Sequence, residues 1–357
     1  MLILRYILSP FSFLYYCIMF LRNFLFDHNI WMFKSDDFDT CVINIGNITV
    51  GGTGKSPMVL YLANYISTKY KTIILSRGYG RHTKGIMELN DSNANYLTVG
   101  DEPAMFYRQS QKKYKIAVGE RRAVAIPYLL HKYPDNQVII LDDAYQHRQV
   151  KPYLNILMID FSRPIYNDYV LPTGWLREGR GSIKRAHAIV VSKCPEGVGY
   201  KKEYFKIKHA KYLNDNNIPF FFTSISYLNP TQFCGNTTNL ETNHHIIVLT
   251  SIANAKPFIQ YLSNKYQILA HLKYADHQVF TAKDFANIID TYHIHKKKAV
   301  AILMTEKDMI KFANSAGHKA FGHIPLFYIP IEISFADDDE AKFHQFIDQK
   351  LNAYYRR

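Results

Sequence analysis

Short apolar runs alternate with helical patterns along most of the chain. Runs that begin near Cys41, Thr72, Val138, Asn155 and Ala188 have the length and the continuous apolar character of strands that are buried on both faces of a sheet. Between several of these runs, apolar residues recur three and four positions apart, as on one face of a helix. This alternation predicts an α/β fold with a mainly parallel sheet and helices on both of its faces.

The pattern changes between Tyr212 and Asn243, a stretch rich in Asn and Thr that is typical of a linkage. Further strand-like runs follow it, at His245–Thr250, Tyr266–Leu272 and Val300–Met304. A second, smaller α/β lobe is therefore expected. The predicted domains are an N-terminal helix over residues 1–28, a larger α/β domain over 29–215, and the second lobe with a C-terminal return helix over 216–357.

An uncharged apolar run, Ile7–Phe20, lies near the N-terminus between Arg5 and Arg22. It is shorter than the ~20 residues that a spanning helix needs, unless Arg22 extends towards the lipid headgroups. No small-residue cleavage site follows it, so a removed signal peptide is not expected. The run predicts either a short spanning helix or a helix in the plane of the membrane, and a buried core helix is the alternative.

A glycine-rich turn joins the first predicted strand to a predicted helix. The strand covers residues 41–45, the turn reads TVGGTGKS, and the helix follows from Met58. This order is the context in which a P-loop binds nucleotide phosphates. The residues predicted to bind the nucleotide are Thr49, Val50, Gly51, Gly52, Thr53, Gly54, Lys55 and Ser56.

The chemistry of phosphate binding explains these residue types. Gly51, Gly52 and Gly54 allow backbone N–H groups to point at phosphate oxygens, in conformations that a side chain disfavours. Lys55 is expected to reach the β- and γ-phosphates, and the Ser56 hydroxyl to coordinate Mg²⁺. ATP and Mg²⁺ are therefore the predicted cofactors.

Two aspartates follow another buried strand. Val138–Leu141 is apolar, and Asp142 and Asp143 come directly after it. Ligands bind at the carboxyl ends of strands in open parallel sheets, so the predicted metal site comprises Ser56, Asp142 and Asp143. The alternative, in which the pair caps the following turn, is less favoured once a P-loop is present.

Composition and charge limit the class of partner. Hydrophobic residues make up 48% of the chain and charged residues 20%, which is typical of a folded protein. The net charge of +13 favours polyanionic partners such as nucleic acid, anionic lipid or a phosphorylated substrate. No helix-turn-helix, RRM-like or OB-like pattern is present, so we expect no nucleic-acid partner. The four cysteines form no CxxC pair, which indicates reduced thiols in the cytosol rather than a zinc site.

Further motifs accompany the P-loop in a fixed order. They are SRGYGR (76–81), VGDEP (99–103), DDAYQH (142–147), LPTGWLREG (171–179), KRAHAIVVSK (184–193), YADH (274–277) and TEKD (305–308). Together with GNITVGGTGKSP (46–57), this ordered set resembles the tetraacyldisaccharide 4'-kinases, the lipid A 4'-kinases of Gram-negative bacteria.

The resemblance implies an activity and a location. The reaction is phosphorylation by ATP and Mg²⁺ of the 4'-hydroxyl of a tetraacylated glucosamine disaccharide 1-phosphate, which forms lipid IVA in lipid A biosynthesis. The implied partners are this lipid-linked substrate and the membrane surface, at the cytoplasmic face of the bacterial inner membrane, and a monomer is expected. The alternative is a membrane-associated ATPase switch of the ParA-like type, but such loops carry an extra lysine where Val50 stands.

The resemblance also implies roles for single residues. Asp101 matches the general base and His277 its histidine partner. Lys55 and Glu178 are the other predicted catalytic residues, and Arg177 is expected to contact phosphate or to hold its loop. The family usually has proline where this chain has Gly179.

Cations beside the predicted phosphate site suggest contacts with substrate. The predicted substrate-binding residues are Arg77, Tyr79, Arg81 and Arg121. A solvated basic loop is the alternative for the SRGYGR segment. Lys193 and Lys307 each follow an apolar run, and either a place near the base or the phosphates or a salt bridge within the sheet fits them.

Overall fold

Strands and helices alternate along the chain, as the apolar pattern predicts. The computed structural model describes residues 2–195, 197–199, 201–213, 217–276, 278–313 and 320–356. The α-helices are α1 (Leu2–Asp27), α2 (Lys55–Ile66), α3 (Tyr96–Val99), α4 (Asp101–Ser110), α5 (Arg122–Lys132), α6 (Lys201–Ala210), α7 (Lys256–Ser263), α8 (Ala282–His295), α9 (Glu306–Ala313) and α10 (Asp339–Tyr355). The strands are β1 (Cys41–Gly46), β2 (Thr72–Ser76), β3 (Met87–Glu88), β4 (Lys115–Val118), β5 (Val138–Asp142), β6 (Leu154–Asp160), β7 (Ala188–Ser192), β8 (Phe220–Tyr227), β9 (Thr231–Cys234), β10 (His245–Thr250), β11 (Gln267–Lys273), β12 (Ala299–Thr305), β13 (Leu326–Ile329) and β14 (Ile331–Phe335). The predicted α/β class is confirmed.

The chain forms two compact units, each built from separate segments. The first unit comprises Met1–Arg77, Lys112–Ile225 and Ile333–Arg357, and the second comprises Gly78–Gln111 and Ser226–Glu332. The domains predicted from the sequence, 29–215 and 216–357, are each continuous and differ from these units. The predicted domain bounds therefore stay a prediction.

The sheet of the first unit is parallel around its centre. Neighbouring strands follow the order β14-β8-β7-β6-β1-β5-β2-β4, and each pair from β8 to β4 is parallel. Strands β1, β5, β6 and β7 are buried along their whole length. Burial on both faces explains why their sequences are continuous apolar runs rather than alternating patterns. The carboxyl ends of these parallel strands lie at one edge of the sheet, where ligands bind in such folds.

Helix α10 returns to the first unit and packs on α2. Its apolar side chains Phe343, Ile347 and Leu351 are almost fully buried. The ring of His344 stacks on that of Tyr65, with the two centroids 3.9 Å apart. The Tyr65 hydroxyl donates to Asp348 Oδ2 at 2.9 Å. The helix that follows the P-loop is therefore held in place by a segment nearly three hundred positions later in the chain.

The second unit contains its own sheet, in the order β11-β10-β12-β13-β9. Strands β10, β11, β12 and β13 are parallel, and β9 is antiparallel to β13. The predicted strands His245–Thr250, Tyr266–Leu272 and Val300–Met304 correspond to β10, β11 and β12. The stretch interpreted as a linkage, 212–243, instead contains β8 of the first sheet and β9 of the second.

Helix α1 contains the apolar run near the N-terminus. Its segment Tyr6–Asp27 is long and apolar enough to cross a membrane, by length and composition alone. Only 6% of the most apolar part of this segment is buried, which excludes a core helix. The exposed apolar side chains on this helix are Tyr6, Ile7, Phe11, Phe13, Leu14, Tyr16, Ile18, Phe20, Leu21 and Phe24.

Candidate active site

The glycine-rich turn adopts the conformation that its sequence predicts. Gly51 and Gly54 have φ values of 98° and 76°, in the left-handed region that a residue with a side chain rarely adopts. Helix α2 begins directly after Gly54, at Lys55. The turn therefore ends at a helix N-terminus, whose free N–H groups and partial positive charge favour a phosphate.

Residues at the ends of β6 and β7 hold the carbonyl side of this turn. The Ser192 hydroxyl donates to the Thr53 carbonyl at 2.8 Å, and the Lys193 ammonium donates to the Gly52 carbonyl. Lys193 also pairs with Asp160 at 2.8 Å. Although burial works to raise it, the pKa of Asp160 is held below its ordinary value by the hydrogen bond from Lys193. Since the carbonyls of the turn are engaged on this side, its amides are left to face a ligand.

Lys55 and the strand-end acids lie together. Ile45 at the end of β1 is paired with Asp142 at the end of β5. The next residue, Asp143, has its Oδ1 atom 3.5 Å from Lys55 Nζ and its Oδ2 atom 3.2 Å from an Arg177 guanidinium nitrogen. Burial works to raise the pKa of Asp143, but the charges of Lys55 and Arg177 lower it below its usual value. Asp143 is thus ionised at neutral pH and bridges the P-loop lysine to the LREG segment.

Asp142 is buried and fixed from two sides. The Ser76 hydroxyl at the end of β2 donates to Asp142 Oδ2 at 2.8 Å. Arg122 is only 1% exposed, and its guanidinium donates to the Asp142 backbone carbonyl at 3.3 Å. Burial lowers the pKa of Arg122 to about 10 against the attraction of Asp142, so this side chain remains a cation at neutral pH. A buried positive charge therefore supports the acidic strand end.

The donor set fits Mg²⁺ better than a softer metal. Ser56, Asp142 and Asp143 offer hydroxyl and carboxylate oxygens, which Mg²⁺ prefers, and it usually takes its remaining ligands from water and phosphate. Within the described part of the chain, no group of three or more His, Cys, Asp or Glu side chains comes close enough to hold a metal by itself. This arrangement suits a metal that arrives with a nucleotide and keeps part of its water shell.

Glu178 is a buried acid whose carboxylate is held by hydrogen bonds. It is 0% exposed, and its Oε2 atom accepts from Arg185, Ser182 and Asn23, each at 2.8 Å. Burial works to raise the pKa of Glu178, while Arg185 lowers it most among the opposing groups, so that the pKa lies below its ordinary value. Glu178 is therefore a buried carboxylate in an ion pair with Arg185, and its catalytic role stays a prediction.

The predicted substrate-binding residues are divided between the units. In the first unit, Arg77 follows β2 and Arg121 precedes α5, and both side chains are exposed. In the second unit, Tyr79 is 65% exposed. Arg81 donates to the Gly85 carbonyl of its own loop at 2.5 Å. The positions of these four residues do not test whether they contact substrate, and the four roles stay predictions.

Asp101, the predicted general base, opens helix α4 in the second unit. Its side chain is 6% exposed, and its Oδ1 atom accepts from the Glu102 amide at 2.9 Å. Gly100 before it has a φ of 96°, and a Cβ atom there would lie 2.8 Å from the Tyr79 carbonyl oxygen. Its predicted partner, His277, lies outside the described residues.

Lys307 forms a salt bridge near Asp101. Its ammonium lies 2.6 Å from Glu102 Oε1. Burial opposes its charge, but Glu102 and then Asp101 raise the pKa of Lys307 above its ordinary value. This salt bridge joins helices α9 and α4 rather than strands of a sheet, and the charge of Lys307 acts on the candidate base.

The sequence did not predict Asp160 as part of the site, nor the buried place of Arg122, which with Arg121 is a weaker candidate for contact with substrate or nucleotide. Asp160 follows a buried apolar strand in the same way as Asp142 does, so the rule that ligands gather at strand ends would have found it. Arg122 carries no such signal, because its neighbour Arg121 has the same chemistry and is exposed.

Comparison with known proteins identifies similar chains over their whole length. The family model described as tetraacyldisaccharide-1-P 4'-kinase matches residues 4–352. A tetraacyldisaccharide 4'-kinase of Flavobacterium johnsoniae is 38% identical over 342 residues, which cover 95% of this chain and 95% of the relative. One of Cytophaga hutchinsonii is 36% identical, over 95% of this chain and 94% of the relative.

A solved structure has the same fold. The crystal structure of LpxK from Aquifex aeolicus in complex with ATP superposes with a TM-score of 0.73 at 25% sequence identity. The match covers 98% of this chain and 99% of that one. The α/β architecture described above is therefore that of a solved, ATP-binding protein.

Proposed function

Because the chain belongs to the tetraacyldisaccharide-1-P 4'-kinase family, we propose that its P-loop and strand-end acids carry out the phosphoryl transfer of that family. The chain is an ATP-dependent kinase that phosphorylates the 4'-hydroxyl of a tetraacylated glucosamine disaccharide 1-phosphate in lipid A synthesis. The observation that carries the residue-level proposal is the 3.5 Å contact between Lys55 Nζ and Asp143 Oδ1. It joins the P-loop lysine to the acid at the end of β5.

The residues of the first unit bind and orient the nucleotide. The amides of Gly51–Gly54 and the N-terminus of α2 hold phosphate oxygens, and Lys55 reaches the transferred phosphoryl group. Ser56, Asp142 and Asp143 would hold Mg²⁺, which would supply positive charge against the phosphates of the nucleotide. Since Asp143 is kept ionised by Lys55 and Arg177, this set stays competent for a cation at neutral pH.

We propose Asp101 as the base that takes the proton of the 4'-hydroxyl. Its support is the resemblance of the VGDEP segment and its place at the buried start of α4. A carboxylate is the group expected to accept a hydroxyl proton during phosphoryl transfer. Lys307, whose charge acts on Asp101, favours the ionised form that a base requires.

The ParA-like ATPase switch is not favoured. Val50 occupies the place of the extra loop lysine of that class. The family match extends through residues 4–352 and thus through segments that a simple nucleotide switch does not need.

The reaction is tested with the full-length chain in detergent. Radiolabelled ATP, Mg²⁺ and the tetraacylated disaccharide 1-phosphate are expected to give a labelled lipid phosphorylated at the 4'-position. An analogue with hydrogen in place of the 4'-hydroxyl serves as the control and should remain unlabelled. Release of inorganic phosphate without any labelled lipid would instead support an ATPase switch.

We also propose that helix α1 lies in the plane of the inner membrane at its cytoplasmic face. Polar side chains of α1 contact the body of the first unit from Ser12 to Asp27, a length of about 22 Å at 1.5 Å per residue. The part of the helix before Ser12 is about 15 Å long, half of the ~30 Å hydrocarbon core. A helix docked in this way is too short to span, whereas its exposed apolar side is suited to the lipid interface.

Labelling of an introduced cysteine distinguishes the two topologies. In a Cys17→Ser background, Leu2→Cys at the start of α1 is expected to react with a membrane-impermeant thiol reagent only from the cytoplasmic side, in inverted vesicles. Trp31→Cys, at a residue that is 79% exposed beyond the helix, is the control that reacts from that side in either topology. Labelling of Leu2→Cys from the periplasmic side of intact cells contradicts the in-plane proposal and supports a spanning helix.

A further inference from the structure

The LREG segment that carries Arg177 is tied to the P-loop on one side. The Arg177 amide donates to the Ile48 carbonyl, and the Val50 amide donates to the Trp175 carbonyl, both at 2.7 Å. Thr49 and Leu176 form an isolated antiparallel bridge between the same two segments. A movement of the LREG segment would therefore also move residues 48–50, which lead into the phosphate-binding turn.

On its other side the segment is tied to helix α1. The Tyr15 hydroxyl donates to the Arg177 carbonyl at 2.8 Å. The Asn23 side-chain amide donates to Glu178 Oε2 at 2.8 Å. Gly179 is so close to the helix that a Cβ atom there would lie 2.7 Å from a ring carbon of Tyr16. Helix α1 thus contacts three consecutive residues, Arg177 to Gly179.

Glu178 connects the helix to the protein interior. Its carboxylate is fully buried and receives hydrogen bonds from α1, from Ser182 and from Arg185. Since Glu178 Oε2 accepts all three of these bonds, loss of the Asn23 donor leaves the buried charge with Ser182 and Arg185 alone, which is unfavourable for a buried carboxylate. The position of Glu178, and of Arg177 beside it, therefore depends on the donor that α1 supplies.

We propose that Asn23 and Tyr15 of helix α1 are positioning residues for the nucleotide site. They act through Glu178 and the Arg177 carbonyl, and hold the Arg177 guanidinium 3.2 Å from Asp143. Arg177 in turn fixes the rotamer of Asp143, one of the proposed metal-binding acids. The membrane helix is in this way part of the scaffold of the Mg²⁺·ATP site as well as an anchor. The proposal rests on the proposed nucleotide site but not on the identity of the lipid.

The test measures the affinity for ATP with and without Mg²⁺ in the full-length chain in detergent. Asn23→Ala is expected to weaken binding of Mg²⁺·ATP about tenfold, which corresponds to ~1.4 kcal/mol, and to leave binding of metal-free ATP nearly unchanged. Tyr15→Phe should act in the same direction with a smaller effect, since it removes a single neutral hydrogen bond. Because no lipid is used, this result is independent of whether the lipid is phosphorylated.

A double-mutant cycle separates positioning from general loss of stability. In an Arg177→Ala background, Asn23→Ala is expected to cause a clearly smaller loss of Mg²⁺·ATP affinity than in the wild type, because the guanidinium that it positions is gone while the backbone link to the P-loop remains. An equal loss in both backgrounds overturns the proposal, as does wild-type affinity in the single variant Asn23→Ala. If Asn23→Ala does not fold, the same cycle is run with Tyr15→Phe.

Ser9→Ala is the matched control on the same helix. It removes a hydroxyl that donates to the Tyr6 carbonyl within α1, at 2.8 Å. Mg²⁺·ATP affinity equal to that of the wild type is expected for this variant. A loss as large as that of Tyr15→Phe would attribute the effect to the helix as a whole and would contradict specific positioning.

Discussion

Replacing Lys55 with methionine is expected to lower kcat for lipid phosphorylation by about 10³-fold, the upper range for removal of one preorganised charge-stabilising group. Methionine keeps much of the length and apolar volume of the lysine stem, while the ammonium that faces the transferred phosphoryl group is lost. Lys55 is also 3.5 Å from Asp143, so the variant leaves that carboxylate with Arg177 as its remaining cationic neighbour. Steady-state kinetics with saturating ATP measure the effect.

Lys69→Met provides the control for this variant. Lys69 follows helix α2, and its side chain is 50% exposed and pairs with Asp348 of α10. Exposed ion pairs contribute little to stability, so turnover close to that of the wild type is expected. If Lys55→Met kept more than a tenth of wild-type kcat, the assignment of Lys55 to the transferred phosphate would be wrong.

Replacing Asp101 with asparagine is expected to lower kcat by about 10³-fold while the affinity for ATP is retained. General bases typically contribute 10²–10⁴ to a rate, and asparagine has nearly the same shape but cannot accept the proton. Its side-chain oxygen can still accept from the Glu102 amide, as Asp101 Oδ1 does at 2.9 Å. The start of α4 should therefore remain intact, and thermal unfolding of the variant checks this.

Asp290→Asn is the corresponding control in the second unit. Asp290 lies on the exposed face of α8, and its loss of charge should leave turnover unchanged. Two outcomes would contradict the proposed role of Asp101. Wild-type turnover would remove it from the mechanism, and a parallel loss of ATP affinity would make it a nucleotide-binding residue instead of a base.

The parts of the site that follow local rules were predictable from the sequence. The turn from Gly51 to Ser56 is determined by its own residues. Gly51 and Gly54 adopt the positive φ angles that the turn requires, and the helix begins immediately afterwards. Asp142 was predictable because a buried strand places its next residues at a known edge of the sheet. The structure brings these two elements together as expected, at the contact of Lys55 with Asp143.

The parts that depend on distant pairing were not predictable. The hydrogen bond from Asn23 to Glu178 joins residues 155 positions apart, and nothing near either residue indicates its partner. Glu178 therefore resembled an active-site acid by its motif, although the fold buries it beside Arg185. Segment 78–111 lies within the predicted first domain and belongs to the second compact unit, a grouping with distant segments that no local pattern indicates.

The return of helix α10 has a consequence for the synthesis of the protein. The segment that covers Tyr61 and Tyr65 of α2 lies beyond the whole of the second unit in the chain. During synthesis, the first unit cannot complete its fold until the second unit has been translated. Until then, the face of α2 that packs on α10 is not covered. A premature stop codon anywhere within residues 226–332 therefore removes α10, the last helix of the first unit, as well as the end of the second unit.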